Sequence, residues 1–129
     1  MRIEDLNFHD SILKEITIDR NNPGYRDDVK LRIGLLDDCY IEVVFKDCFK
    51  AVIDLNFGVI ADETILDFYK SNESEELKLL KEKWLKIGGK VDGLSLYCIK
   101  TNSTNSKIKI FSKDYKIKVL SNVLQPPYD

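Results

Sequence analysis

Three runs in the first half of the chain alternate between apolar and polar residues, and they constrain the fold more than any other feature. They span residues 29–35, 39–46 and 49–57. A period of two puts one side of each strand on a core and the other side in water. The pattern is typical of an antiparallel sheet. The pair Asp37-Asp38 predicts the turn between the first two of these strands.

The middle of the chain changes to a helical period. Residues 62–69 predict a short helix capped near Asp62, and residues 72–87 predict a second helix. Asn72 and Glu75 provide a capping-box-like start for the second helix, because their side chains can satisfy backbone amides that have no partner within the helix. Two glycines follow at residues 88–89 and predict its end.

The last third returns to strands and completes the predicted fold. A strand at residues 94–98 precedes a hairpin over residues 108–119 with a turn at 112–114, and the tail 125–129 is expected to be extended. The sequence therefore predicts one domain, residues 1–129, of the α+β class. Its sheet is expected to be mostly antiparallel and strongly curved or barrel-like, with the helix pair inserted between two groups of strands.

The composition is that of a chain that can fold without disulfide bonds or a structural metal. Of its 129 residues 43% are hydrophobic and 33% are charged, and a chain of this length buries more than half of its unfolded surface. No apolar stretch reaches the roughly 18 residues of a membrane span, and the first residues lack the apolar core of a signal peptide. A cytoplasmic protein is therefore expected, without membrane association.

The charge is small overall but unevenly distributed. The net charge is −2, with 14 acids and 8 bases in residues 1–65 against 8 acids and 12 bases in residues 66–129. A mildly acidic chain argues against nucleic acid as the partner, since that ligand requires a basic surface. The asymmetry still allows a local charged face for a protein partner.

His9 is the only histidine, and it limits the chemistry that the chain can perform. One imidazole excludes a multi-histidine metal site. His9, Asp10 and Ser11 are the residue types of a hydrolytic triad, but adjacent residues cannot meet as nucleophile, base and acid. We therefore interpret this segment as the architectural entry to the first strand, with a functional role for His9 as the alternative. No catalytic residue is predicted.

The cysteines and paired acids do not predict a cofactor or a metal. Cys39, Cys48 and Cys98 lack the spacing of two to four residues that zinc ligands show, and their odd number favours reduced thiols. The acid pairs at residues 27–28, 37–38 and 62–63 lie at predicted turns or helix starts, where acids are common for local reasons.

A lysine stripe is the candidate partner-binding feature. Lys107, Lys109, Lys116 and Lys118 alternate with apolar residues in the predicted final hairpin. The stripe is either a solvated face that also protects a strand edge from aggregation or a contact surface for an acidic partner. Nucleic acid would call for arginine and aromatic residues instead.

Two motifs carry a resemblance to a known class of protein. Leu6-Asn7-Phe8-His9-Asp10-Ser11 near the start and Thr101-Asn102-Ser103-Thr104-Asn105-Ser106 near the end resemble small bacterial proteins of the toxin-immunity type. The resemblance implies a small protein that neutralises a toxin by direct association and is not an enzyme. It transfers no catalytic residues.

Two other functions stay open at this point. One is an enzyme or small-ligand binder with a cleft near His9. The other is a structural homo-oligomer whose subunits pair through strand edges or an apolar helix face. The expected state is a monomer or a small homo-oligomer.

Overall fold

The computed structural model describes residues 1–36 and 38–121, so Asp37 and the predicted extended tail lie outside the described residues. Within these residues the fold is α+β: one mostly antiparallel sheet carries one α-helix. The sheet order is β1-β2-β3-β6-β5-β4. The elements are β1 (Ile12–Asn22), β2 (Arg26–Gly34), β3 (Tyr40–Asp54), β4 (Ile65–Ser71), α1 (Glu75–Lys86), β5 (Ser95–Thr101) and β6 (Lys107–Ser121).

The sheet is open, so the predicted barrel-like closure is wrong. Its two edge strands nevertheless meet at one corner, where Ile12 forms a bridge with Thr64. A flat sheet of six strands would hold its edges about 24 Å apart, since neighbouring strands lie about 4.8 Å apart. The contact therefore requires a strongly curved sheet. Beyond this corner the described residues of β1 and β4 do not pair.

The predicted helix pair is also wrong, because the first of its members is a strand. Residues 65–71 form β4, which pairs with β5. A register shift between Ile65 and Asp67 explains why residues 62–69 show the apolar spacing of a helix. The shift brings Ile65 and Phe68, three residues apart, onto the same core. A spacing of three is what an amphipathic helix shows.

The second predicted helix is present as α1 but begins later than expected. Ser74 is its N-cap, and its side chain accepts from the Leu77 amide at 3.3 Å. Asn72 instead accepts from the Ser95 hydroxyl at 2.6 Å. Gly88 ends the helix with φ +80°, a conformation that glycine adopts without steric cost.

Two strands are longer than the alternation predicts. The runs at residues 39–46 and 49–57 join into β3, with a register shift between Cys48 and Lys50. The predicted final hairpin is the single strand β6, and the predicted turn at 112–114 lies within it. Ser112 is fully buried and pairs with both Ser95 and Cys48. Ser112 has a neighbouring strand on each side and Asp114 pairs with Lys46 of β3, so these polar residues stay in the ladder and do not form a turn.

The sheet separates two apolar clusters. On the inner face, strand residues such as Leu31, Phe45 and Ile108 form the main core, and Ile3 and Phe8 from the N-terminal segment pack against them. On the outer face, α1 packs on β5 and β6 through a smaller cluster. That cluster consists of Leu77, Leu80, Val91, Leu94, Leu96 and Phe111, with Phe49 and Trp84 at its edge.

Candidate functional site

His9 and Asp10 occupy the centre of a tight turn before β1. The Ser11 amide donates to the Phe8 carbonyl at 2.9 Å, and Asp10 has φ +67°. Aspartate enters this left-handed region more readily than most residues because its short side chain bonds locally. The turn rests on β4, since the Asp10 amide donates to the Ile65 carbonyl at 2.9 Å.

The imidazole of His9 is bonded to the backbone of β4. Its Nδ1 lies 3.1 Å from the Leu66 carbonyl oxygen. That oxygen only accepts, so Nδ1 carries the proton in the neutral ring. Nε2 lies 3.7 Å from a carboxylate oxygen of Asp10, and the His9 side chain is 59% exposed. The fully buried Ser11 donates through Oγ to the Asn7 carbonyl. This geometry supports the architectural interpretation of His9, which stays a prediction.

The polar run Thr101–Ser106 connects β5 to β6 and is closed by its own hydrogen bonds. The Thr101 amide donates to the Ser106 carbonyl at 3.0 Å, and the Ser106 amide donates to Thr101 Oγ1 at 2.8 Å. Asn56, which follows β3, donates its backbone amide to Ser106 Oγ at 2.8 Å. Thr101 and Ser106 are buried. Most of these groups are thus bonded within the protein.

The same run holds the segment that leads into β4. Thr104 donates both its amide and its hydroxyl to the carboxylate of Glu63. Ser103 donates its hydroxyl to the Asp62 carbonyl, and the Asn102 amide donates to the Thr64 carbonyl at 2.8 Å. Both oxygens of Glu63 are therefore bound by one threonine.

The two motifs that carry the resemblance lie on either side of one segment, residues 62–66. The turn at Asp10 bonds it from the side of β1, and the run Thr101–Ser106 bonds it from the side of β5. The described residues contain no group of three or more acidic, cysteine or histidine ligands that could hold a metal ion. The arrangement joins the two edges of the sheet at this corner.

The four lysines of the stripe lie on the outer face of β6 in two separate pairs. Lys107 and Lys109 alternate with the buried Ile108, whereas Lys116 and Lys118 flank Ile117, which packs on the same inner core. About 23 Å of strand separates Lys109 from Lys116 at about 3.3 Å per residue. They do not form one continuous contact surface.

Two of these lysines already have acidic neighbours. Lys109 Nζ lies 2.6 Å from Glu76 Oε1 on α1. Lys118 pairs across the sheet with Glu42 of β3. Glu42 in turn pairs with Arg32 of β2, and Arg32 lies 3.9 Å from Glu15 of β1. Charges of alternating sign on neighbouring strands stabilise a solvated sheet face. The register therefore favours the solvated-face interpretation for Lys109 and Lys118.

The cysteines are separated and have no common site. Cys98 is buried, and Cys39 and Cys48 are partly buried. Burial raises the pKa of the Cys48 thiol to about 12, and the carboxylates of Asp28 and Asp27 add to the rise. A thiol with such a pKa is a poor nucleophile at neutral pH.

Two clefts lie beside β1, one next to the second half of β3 and the other next to the connection from β3 to β4. The larger, of about 730 Å³, is lined by Ile18 of β1 and by Ala51 and Ile53 of β3, with Trp84 of α1 at one end. The smaller, of about 410 Å³, lies between Leu13–Ile16 and the connection from β3 to β4. His9 lines neither cleft, although Glu63 and Thr104 line the smaller one.

The connection from β3 to β4 exposes apolar side chains beside the smaller cleft. Phe57 is 83% exposed and Ile60 is fully exposed, with Val59 between them about half exposed. We call Phe57, Gly58, Val59 and Ile60 the apolar loop. Alternation predicts a strand at Phe57, so local periodicity does not reveal this loop. The sequence signal for this loop is an apolar run after the alternating strand whose residues follow neither the strand period nor the helical period.

A scan against protein-family models found no family that matches the chain, and a comparison with curated proteins found no significantly similar sequence. Among the described residues, α1 is too short to cross a membrane, and no helix there has the length and apolar character of a span.

Proposed function

We propose that this protein binds another protein and that the apolar loop is the centre of the contact surface. The observation that carries the proposal is the exposure of Phe57, Val59 and Ile60 next to each other. Grouped apolar side chains in water are unfavourable, and on folded proteins such patches mark sites of interaction. Aromatic residues such as Phe57 are also common anchors of protein interfaces.

The support is stronger because the loop is held at both ends. Asn56, which precedes it, donates its side-chain amide to the carbonyls of Thr104 and Asn105 at 3.1 and 3.2 Å. Glu63, which follows it, is bound by Thr104. A loop with fixed ends loses less conformational entropy on binding, and preorganisation of this kind increases affinity.

The partner class comes from the resemblance of the two motifs. Proteins of the toxin-immunity type bind their toxin directly, so a toxin encoded by a neighbouring gene is the proposed partner. The motifs Phe8–Ser11 and Thr101–Ser106 both bond the segment 62–66 that follows the apolar loop. In this proposal the motifs have an architectural role, since they fix the loop that contacts the partner.

The test uses the full chain and the purified products of the neighbouring genes. Isothermal titration calorimetry is expected to detect a one-to-one complex with one of them. The double substitution Phe57→Ser with Ile60→Ser is expected to weaken it at least about tenfold, or about 1.4 kcal/mol.

The matched control is Leu79→Ser with Leu85→Ser, which changes two exposed apolar residues of α1 and should leave the affinity unchanged. Unchanged affinity in the loop variant, or no complex with any neighbouring product, would contradict the proposal.

A further inference from the structure

The sheet splits where β2 and β3 diverge. Val29 and Phe45 are the last residue pair between these strands, but β3 continues to Asp54 and pairs there only with β6. Asp47, at the split, has φ +53°. Among the described residues nothing pairs with the other edge of the second half of β3. We call residues 48–54 the free edge.

The free edge borders the larger cleft. Ala51 and Ile53 of the edge line it together with Ile18 and Val29 of the β1–β2 hairpin, and Ile18 is 48% exposed. Seven residues of strand span about 23 Å, which is the length of an ordinary strand. An unpaired edge beside apolar side chains provides main-chain hydrogen bonds together with pockets for alternate side chains, as strand addition requires.

The hairpin side of this cleft carries more acids than bases. Asp19, Asp27 and Asp28 line it together with Arg20. Asp28 already has a positive neighbour, since its Oδ2 lies 3.7 Å from Arg26 Nε. The Oδ1 atom of Asp27 is buried, and no described residue donates to it. Asp27 therefore favours a cationic group on whatever enters the cleft.

The free edge and the apolar loop form one continuous stretch of chain. β3 ends at Asp54, and the loop begins three residues later at Phe57. Leu55, between them, lines the smaller cleft. A partner that contacts the loop can therefore reach the free edge with an adjacent segment.

We propose that an extended segment of a partner protein adds as a strand to the free edge, placing alternate apolar side chains in the cleft and a lysine or arginine beside Asp27. The inference rests on the proposed function and specifies the chemistry of the partner's contact segment. A second copy of this chain is the competing occupant, since an open edge can pair with its own copy.

The test uses a phage-displayed library of random 12-residue peptides, selected on the immobilised full chain. Selected peptides are expected to alternate apolar and polar residues and to carry a lysine or arginine. Hydrogen exchange measured with a bound peptide should show new protection of amides in residues 48–54. A library that yields no such peptides, or protection confined to other segments, would overturn the proposal.

Three variants separate the possibilities. Asp27→Asn and Ala51→Glu are each expected to weaken peptide binding at least about tenfold, because the first removes the counter-charge and the second obstructs the cleft. Leu85→Ser on α1 is the control and should bind the peptide as the unchanged chain does. Unchanged binding in both cleft variants would refute strand addition.

The neighbouring-gene product distinguishes the failure of this inference from that of the proposed function. If its binding is lost in the Phe57→Ser/Ile60→Ser variant but kept in both cleft variants, the loop is the contact and strand addition is wrong. If the full chain elutes as a dimer in size-exclusion chromatography and Ala51→Glu makes it monomeric, the edge pairs with a second copy and the proposal also fails.

Discussion

The amide of Ile65 donates to the carbonyl of Ser11 at 2.7 Å, and this bond joins the two edge strands of an open sheet. Ile65 begins β4 and Ser11 immediately precedes β1, at opposite ends of the strand order. The bond depends on the turn at His9 and Asp10 and on the polar run beyond β5. The corner where these segments meet is therefore expected to determine the stability of the whole sheet.

The left-handed backbone of Asp10 predicts an unusual order of stability among its variants. With φ +67°, Asp10→Val should be less stable than Asp10→Gly by about 1–2 kcal/mol, because the valine Cβ clashes in this region. Both variants remove the carboxylate, so their difference isolates the backbone. Urea denaturation followed by circular dichroism measures it.

The control for this experiment is Asp54, an exposed residue at the end of β3. There the order should reverse, since valine favours a strand and glycine weakens it. Equal stabilities of the two Asp10 variants would contradict the assigned turn.

The bond between Glu63 and Thr104 predicts a stability loss when either partner is removed. Glu63→Ala removes the acceptor of the Thr104 amide, although the Thr104 hydroxyl can still donate to Ser106 Oγ at 2.7 Å. We expect the free energy of unfolding to fall by roughly 1–3 kcal/mol. Thr104→Ala should cost a similar amount, and the double variant less than the sum. Glu82→Ala on the exposed face of α1 serves as the reference and should change stability by less than about 0.5 kcal/mol.

Replacing Asp27 with asparagine is expected to stabilise the folded state. Its Oδ2 accepts from the Gly24 amide at 3.0 Å, whereas Oδ1 is buried without a described donor. Asp27→Asn keeps an acceptor for Gly24 and removes a charge whose burial is only partly compensated. Thermal unfolding should therefore occur at a higher temperature. A lower midpoint would show that the carboxylate is stabilised by its surroundings.

Asp19 predicts a specific pH dependence. The backbone amide and the side chain of Asn21 donate to its carboxylate at 2.9 and 3.0 Å. The bond from the Asn21 backbone is the main cause that lowers the pKa of Asp19. Because the pKa of Asp19 is lower in the folded state than in the unfolded state, the ionised carboxylate stabilises the fold at pH values above the unfolded pKa of about 3.9. This stabilisation is lost as the pH falls through the folded pKa.

The measurement is the denaturation midpoint of the unchanged chain and of Asp19→Asn between about pH 6 and pH 2. The variant should be less stable at neutral pH, and the two midpoints should converge in acid. A constant difference over this range would mean that ionisation of Asp19 makes no contribution.

The partly buried thiol of Cys48 is expected to be modified slowly. Because its pKa is raised to about 12, the thiolate at pH 8 is roughly a thousandfold scarcer than for a thiol of ordinary pKa, about 8.5–9. Iodoacetamide labelling followed by mass spectrometry should therefore modify Cys48 slowly in the folded chain and readily in urea. Rapid labelling in the folded state would show that the site opens or that the thiol is ionised.

Local patterns alone identified much of the sheet. The alternation at residues 29–35 and 39–46 correctly indicated the antiparallel pair β2 and β3, because side chains in a strand alternate whatever their neighbours are. The helical spacing after Asn72 likewise indicated α1, and Gly88 indicated its end. These features depend on residues close together in the sequence.

The sequence by itself determined that the chain forms an amphipathic antiparallel sheet and that the segment after Asn72 is a capped helix, since periodicity and capping are local properties. Only the tertiary structure decided that Ile65 and Phe68 belong to a strand, because the register shift that aligns them arises from pairing with β5. It also decided that Ser11 and Ile65 meet and that β3 leaves an edge unpaired. Strand order and curvature depend on contacts between residues far apart in the chain, and local periodicity carries no information about them.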